Sequence, residues 1–442
     1  RARAEELIEN MLATLGRLKK WHGHLLNWYD IASLEPLGPE YVSAVDSGNL
    51  YACLTALCAA LRSWGRDELA EAAREIAEGM DFRPLYDARR GQLYTGIEPE
   101  SGKASESHYD LMASEARLTA YAAIAKGDAP YRLWQRMSRV QVQKNGFRGM
   151  ASWTGTMFEY LMPELLLPLY RGSLIYESDR FCVYVQKCRT GAENVPWGES
   201  ESAYAALDAS MSYRYKAHGC AALALRRGMD GELVISPYSS FLALCVSPGA
   251  AVKNLHRLEE LGMRGSFGFW EALDCTRRTA RNGPSRVRCV MAHHLGMSMA
   301  AIANAVSDGL VRRWLFSDSR MRAYSLLLQE QLPAGAEVLR RRPGEAPLPE
   351  RGRAAPEWEK RGEGTDFYRP ECCLLAGMSL GMLVTEYGGV VTRCGGISPY
   401  VPFSGFARGG GVYFSAVTER GEAPLLPQPG GSGTFSWRFT TA

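Results

Sequence analysis

The chain has 442 residues, 46% of them apolar and 10% aromatic, which allows a large core and excludes one ordinary small domain. Its 51 basic and 48 acidic residues leave a net charge of +3, which excludes the concentrated basic face of a dedicated nucleic-acid binder. The cysteine count is 11, odd, with no CxxC and no framework spacing; this argues against a disulfide scaffold or zinc site and predicts reduced thiols in a cytoplasmic setting.

No apolar run reaches 18 residues, so no membrane-spanning segment is expected, and no secretory leader is visible. The sequence opens at Arg1 inside a helical pattern and reads as a fragment or excised domain of something longer. Residues 1–20 alternate charged and apolar positions at helical spacing. A second helix is predicted over 46–64, capped by Asp46 or Ser47, and a third, rich in Ala and Glu, over 66–80. Helical patterns recur near 107–126, 154–170, 173–189, 201–213, 238–246, 250–262, 290–308 and 320–331. Helices in succession with few strand runs predict an all-α architecture. Antiparallel helix pairs in that number suit a double ring whose loops at one end build a cleft. Residues 332–370, loaded with Pro, Gly, Arg and Glu, read as a linker or extended loop, and Arg340-Arg341-Arg342 within them as solvated loop. Residues 371–442 read as a small β-rich segment, from the runs at 382–387, 390–392 and 411–414.

Two glutamates stand out. Ser107 and Asp110 have capping-box spacing, and Leu111, Glu115, Leu118 and Ala122 then share one helical stripe. Glu115 is therefore expected to face inward, where burial raises a carboxyl's pKa and suits it to general-acid work. The alternative is a buried glutamate satisfied by Arg or Tyr from a neighbouring helix. In the stretch 195–204 a Pro-Trp-Gly turn delivers Glu199, Ser200, Glu201, Ser202 and Tyr204. With Ser200 as N-cap, Glu201 falls in a first helical turn, where the dipole keeps a carboxylate ionised as a nucleophile or base. The alternative is that Glu199 or Glu201 merely decorates a helix start. Two carboxyls whose environments push their pKa values apart are the signature of glycosidic acid/base chemistry.

Other groups have the chemistry to hold sugar hydroxyls, or to serve as caps or buried hydrogen-bond partners. They are Asp46 and Asn49 near the start of the second helix, Glu159 after an aromatic and hydroxyl-rich approach, and Glu271 after Trp270. His293 and His294 are adjacent on a helix, about 100° apart, and cannot easily share a metal. Bonding to a sugar or bracing a carboxylate suits them better. Trp28, Tyr29, Tyr109, Trp153, Trp197, Tyr204, Tyr213, Tyr215 and Trp270 lie near helix ends beside polar residues, as a long saccharide cleft requires and as ordinary core aromatics also do.

Taken in order, these motifs are distinctive. They include His24-Leu25-Leu26-Asn27-Trp28-Tyr29-Asp30, the Tyr41–Leu50 stretch, Tyr109-Asp110-Leu111-Met112-Ala113-Ser114-Glu115-Ala116-Arg117 and Met157-Phe158-Glu159-Tyr160. Pro196-Trp197-Gly198 through Tyr204 and Met291-Ala292-His293-His294 complete the set. From about Gly23 to Gln331 the chain resembles the cyclization domain of bacterial cyclic β-1,2-glucan synthases, a glycoside hydrolase family 189 transglycosylase related to endo-β-1,2-glucanases. The resemblance implies an (α/α)6 toroid, Glu115 as acid/base and Glu201 as nucleophile. It implies a linear β-1,2-glucan as partner, no cofactor, no metal and no nucleic acid, and a place within a larger membrane-bound synthase polypeptide. Hydrolysis of the same polymer and non-catalytic glucan binding are the alternatives. Glu199 stands where the family is expected to have an apolar residue and Leu295 where it has glutamine, and Lys216 and His218 also depart. The β-rich tail weakly resembles the opening strands of the phosphorylase-like domain that follows in full synthases.

Overall fold

The computed structural model describes residues 2–191, 194–276, 283–331, 403–408, 411–418, 421–427 and 435–436. Two compact units result, residues 1–339 and 340–442. In the first, helices α1 (Ala2–Arg17), α2 (Ala44–Ser63), α3 (Asp67–Glu78), α4 (Ala116–Lys126), α5 (Arg132–Arg136) and α6 (Met157–Leu161) come before α7 (Leu174–Gly191). They are followed by α8 (Pro237–Leu242), α9 (Pro248–Glu260), α10 (Ala292–Val306), α11 (Leu310–Leu315) and α12 (Ser319–Ala323).

The core is built around α2 and α4. Ser43 is extended (φ −83°, ψ 132°) and its hydroxyl accepts from the Asp46 N–H, so the helix begins at Ala44, two residues before the expected start, with Ser43 rather than Asp46 or Ser47 as cap. By length and composition α2 is apolar enough to cross a bilayer, with a mean hydropathy of 1.3. That apolarity is spent in the core, where α2 packs against α3, α4 and α11 and buries Tyr51, Leu54 and Leu61. Helix α4 is buried on every side from Ala116 to Ala125 and ends at Gly127, whose φ of 88° closes it with a left-handed cap. The two helices touch at Gly48: a Cβ there would lie 2.0 Å from Thr119 Oγ1.

The expectation of an all-α unit needs correction, because short antiparallel sheets of two or three strands fill the connections between helices. Residues 107–115 do not open a helix. His108–Tyr109 pair with Gln92–Tyr94, and His108 Nε2 lies 2.9 Å from Asp87 Oδ2, so strand pairing consumes the segment before Ser114 starts the turn into α4. The predicted helix over 201–213 is a hairpin instead, Ser202–Leu207 against Tyr213–Lys216. Its side chains alternate at a period of two, and the tyrosines at 213 and 215 sit where aromatic strand propensity favours them. Another hairpin, Gln141–Lys144 with Phe147–Met150, turns on Asn145 and Gly146, both with positive φ (50° and 81°), the requirement of a type I′ turn.

In the second unit Phe403–Arg408, Gly411–Thr418, Gly421–Pro427 and Phe435–Ser436 form an antiparallel meander, in keeping with the β-type run read at 411–414. The linker expected over 332–370, its arginine triplet and the runs at 382–387 and 390–392 lie outside the described residues.

Gly48→Ala is expected to destabilise the protein by about 1–3 kcal/mol, because Thr119 and its backbone leave no room for a methyl group. Urea unfolding of the variant beside the parent protein measures it, and an unchanged midpoint would contradict this account of the α2–α4 contact.

Candidate active site

Helices α2, α4, α6, α8 and α10 each contribute a functional side chain from their N-terminal end. Asp46 lies in the first turn of α2, Glu115 immediately precedes Ala116 of α4, and Glu159 is the third residue of α6. Tyr238 is the second residue of α8, and His293 and His294 open α10. Helix N-termini carry partial positive charge and free N–H groups, which favours collecting carboxylates there. The groups are close enough to feel one another. Glu115 senses Glu159 and Glu201; Glu201 senses His294, Glu159 and Asp46; Tyr109 senses Glu115, Asp46 and Glu201.

Glu115 is half-buried at the start of α4 rather than midway along a stripe. The Ser114 hydroxyl donates to its Oε2 at 3.2 Å. Burial first, and then the negative charge of Glu159, pushes the Glu115 carboxyl up to about 7, against the weaker opposing pull of its local hydrogen bonds. Arg117, two residues on, turns away from it. The guanidinium is buried and donates to the Met112 carbonyl at 3.0 Å, the Tyr160 carbonyl at 2.8 Å and Glu164 Oε1 at 2.7 Å.

Glu201 stands at the head of a strand, not in a helical turn, so no helix dipole of its own holds it ionised. Its backbone is pinned from several sides. Trp197 and Asn254 exchange two hydrogen bonds (3.1 and 2.7 Å), as do Glu199 and Gln186 (2.9 and 3.0 Å). Gly198 takes a φ of 125°, which a side chain would strain. The Tyr238 hydroxyl donates to the Glu201 carbonyl at 2.9 Å, and the Ala203 N–H donates to Glu271 Oε1 at 3.2 Å. Burial raises the Glu201 carboxyl too, while a hydrogen bond from Tyr215 and the nearby His294 hold it down. The expectation that the two environments push the glutamates in opposite directions is therefore corrected. Burial raises both, and their partners distinguish them.

Other expected site residues divide into two groups. Asp46, Tyr109, His293 and His294 share the cleft with the two glutamates. Asn49 follows Asp46 by three positions along α2. Glu159 closes the capping box of α6 and accepts from Ser152, Thr154 and Thr156 hydroxyls and from the Trp153 and Thr154 N–H groups, so it fixes the loop that carries Trp153. Trp153 itself is 45% exposed, and its indole N–H donates to Asp110 Oδ1 at 2.8 Å, which orients the ring. Glu271 sits behind His294, with Oε2 2.9 Å from Nδ1.

The remaining residues lie elsewhere. Trp197 is buried in the core, and Glu199 is wholly buried with Arg189 at 3.4 Å, so neither reaches a substrate. Trp270 packs onto Gly265, while Tyr204 and Tyr213 pack beneath the hairpin. The Tyr29 hydroxyl is tied to the Leu26 N–H and the Lys19 carbonyl (2.7 and 2.6 Å), and its neighbour Trp28 is exposed on the same loop. The departures at Lys216 and His218 are accounted for by Glu232, which pairs with both. Leu295 points toward the Gly265–Gly268 turn. Two residues close to the chemistry escaped sequence reasoning: Tyr238, marked only by the Pro237 that opens its helix, and Tyr215 as a partner of Glu201, which the Tyr213-Arg214-Tyr215 alternation of a strand would have disclosed.

Among the described residues no group of three or more His, Cys, Asp or Glu is arranged to hold a metal ion. Residues 107–319 match the model of the Glycoamylase family, a glucoamylase grouping. Over 494 aligned positions the chain is 30% identical to cyclic β-(1,2)-glucan synthase NdvB of Rhizobium meliloti (strain 1021). The chain is related to the cyclic β-1,2-glucan synthases. The match covers 82% of this chain and 17% of that relative's length. Among solved structures, an endo-β-1,2-glucanase from Chitinophaga pinensis, in complex with sophorotriose and glucose, superimposes with a TM-score of 0.59 at 16% identity, covering 74% of this chain and 82% of that one. An endo-β-1,2-glucanase from Talaromyces funiculosus with sophorose gives 0.59 at 16% identity, covering 76% and 78%. These share its glucoamylase-like fold.

Because the Glu201 charge helps hold Glu115 protonated, Glu201→Gln is expected to lower the Glu115 titration midpoint below its value of about 7. Carbon-13 carboxyl NMR titration of both proteins measures the change, and an unmoved or raised midpoint would show that the two groups do not share a cleft.

Proposed function

We propose that residues 1–331 are an (α/α)6 glycosidase-like catalytic domain performing anomer-retaining transglycosylation, closing linear β-1,2-glucan into cyclic β-1,2-glucan. The observation that carries this reading is the pairing in one cleft of Glu115, kept protonated to about pH 7, with Glu201, whose carboxylate is held by Tyr215. A retaining mechanism needs one carboxyl that can donate a proton and one that can attack. Glu201 attacks an anomeric carbon inside the glucan, and Glu115 protonates the departing oxygen. Glu115, now ionised, then takes the proton of a hydroxyl at the chain's own end. That hydroxyl displaces Glu201, and the two inversions leave the linkage β. Asp46, Tyr109 and the Trp153 face supply the surrounding polar and aromatic contacts. The relationship to a cyclic β-1,2-glucan synthase supports the substrate.

On this reading the domain works without a cofactor, inside a larger membrane-bound synthase polypeptide and on its cytoplasmic side. The structural likeness to endo-β-1,2-glucanases favours a second reading, hydrolysis of the same polymer, in which water takes the place of the sugar hydroxyl.

Incubation of the protein with linear β-1,2-glucan, followed by mass spectrometry, tests the assignment. Products one water lighter than the matching linear oligomers are expected. Linear fragments alone would establish the hydrolase, and an untouched substrate would leave a binding module. Glu115→Gln is expected to lower kcat by about 10²–10⁴-fold, the contribution of a positioned general acid, and Glu201→Gln to abolish turnover. A fully active Glu201→Gln protein would overturn the mechanism.

A further inference from the structure

The Tyr215 hydroxyl lies at a junction. Tyr215 pairs with Ala203 across the hairpin, two residues from Glu201 on the same strand face; its hydroxyl favours the ionised Glu201 carboxyl and lies 3.3 Å from Nε2 of both His293 and His294. Behind His294 stands Glu271, its side chain 1% exposed, bonded to His294 Nδ1 at 2.9 Å and to the Ala203 N–H at 3.2 Å. The His294 ring is further held by stacking on Tyr238, with centroids 3.8 Å apart and planes 14° apart. Ala203, Glu271, His294 and Tyr215 thus belong to one hydrogen-bonded assembly that joins the hairpin to α10 through Glu271.

We propose that Tyr215 is a positioning residue that aims and holds the Glu201 carboxylate, and that His294 and Glu271 act through Tyr215 by fixing the direction of its proton. The inference rests on Glu201 being the nucleophile of the proposed reaction.

Proton accounting gives the reason. A tyrosine hydroxyl has one proton and lone pairs to accept with, and an ionised carboxylate only accepts. With Glu201 ionised, the Tyr215 proton goes to Glu201 and the Nε2–H of His293 donates to the Tyr215 oxygen. Glu271 keeps His294 Nδ1 protonated, which fixes the orientation of the ring. When Glu201 carries the sugar, its carboxylate charge is gone. The Tyr215 proton can then turn to the Nε2 lone pair of His294. In the second step the bond between Glu201 and the anomeric carbon breaks and its electron pair returns to the Glu201 oxygen. The acceptor hydroxyl's proton goes to Glu115, and Tyr215 turns back to the carboxylate. Donation by Tyr215 therefore follows the charge on Glu201 at both ends of the cycle. The other charges facing this pair come from Asp46 on α2, Glu115 ahead of α4 and Glu159 on α6, all acidic. Tyr215 is thus the donor that favours the Glu201 anion in a like-charged surrounding.

The test is Tyr215→Phe in the full chain, with His294→Gln as a second variant that leaves the tyrosine in place. Both should raise the Glu201 titration midpoint, by about one pH unit for Tyr215→Phe, because each removes a group that favours the ionised form. Carbon-13 carboxyl NMR reads this without any substrate. On linear β-1,2-glucan the acid limb of the kcat/KM profile should move up by the same amount while the basic limb, set by Glu115, stays. KM should change less than about threefold. The double variant should be no worse than Tyr215→Phe alone, because His294 acts through Tyr215. An unshifted midpoint and acid limb, or an effect confined to KM, would overturn the inference and make Tyr215 a sugar contact. A shifted NMR midpoint in a protein inert on β-1,2-glucan would sustain the positioning role and reject the proposed substrate.

Discussion

A charge buried beneath the site fixes where the site can be. Arg117 is 1% exposed, and a guanidinium taken that far from water is tolerated only when its donors are engaged. Its bonds run to the Met112 carbonyl before α4, to the Tyr160 carbonyl in α6 and to Glu164 just beyond. One side chain therefore clamps the start of α4 to α6. Glu115 lies two residues before that clamp, and Glu159 lies one residue before Tyr160. The separation between the acid and the carboxylate that helps raise its pKa is thus set by an ion pair that never meets substrate. Asp179, buried nearby, is pushed well above the usual carboxylate range, chiefly by burial.

On this foundation the cleft gathers more carboxylates than water would allow so close together. Helix N-termini offset part of the repulsion, and the rest appears as raised pKa values. The two glutamates then differ by their neighbours. Glu115 faces Glu159 and stays protonated to about pH 7. Glu201 faces a phenol backed by histidines, which restores part of the stability its anion loses through burial. Similar burial with different partners yields two different tendencies.

Much of this could be read from the residues in order. The stretch ending in Ala113-Ser114-Glu115-Ala116-Arg117 and the Ser200-Glu201-Ser202 segment brought forward two glutamates that lie close enough to sense each other, and α2, α3, α7, α9 and α10 lie close to where apolar periodicity puts them. What could not be read was pairing across the sequence. A hairpin such as 202–207 with 213–216 depends on a partner strand, and its Ala-rich first strand carries no strong β preference, so local spacing favoured a helix. Burial misled in the same way. Trp197 and Glu199 closely precede Glu201, yet Asn254 and Gln186 grip their backbone and their side chains are buried. Tyr238 was invisible because its importance lies in a bond to a carbonyl, which leaves no residue-type signature.

The contact between Gly48 and Thr119 ties the packing of the core to the spacing of the cleft carboxyls. Gly48 lies two residues after Asp46, and Thr119 lies four residues after Glu115, so the seam where α2 and α4 touch is within about a turn of both cleft residues. A side chain at 48 must be matched by a smaller residue at 119, while glycine at 48 leaves nothing to remove if 119 grows; otherwise the helices separate and carry Asp46 and Glu115 apart. Positions 48 and 119 are therefore sterically coupled, and what either can hold is set by the residue at the other.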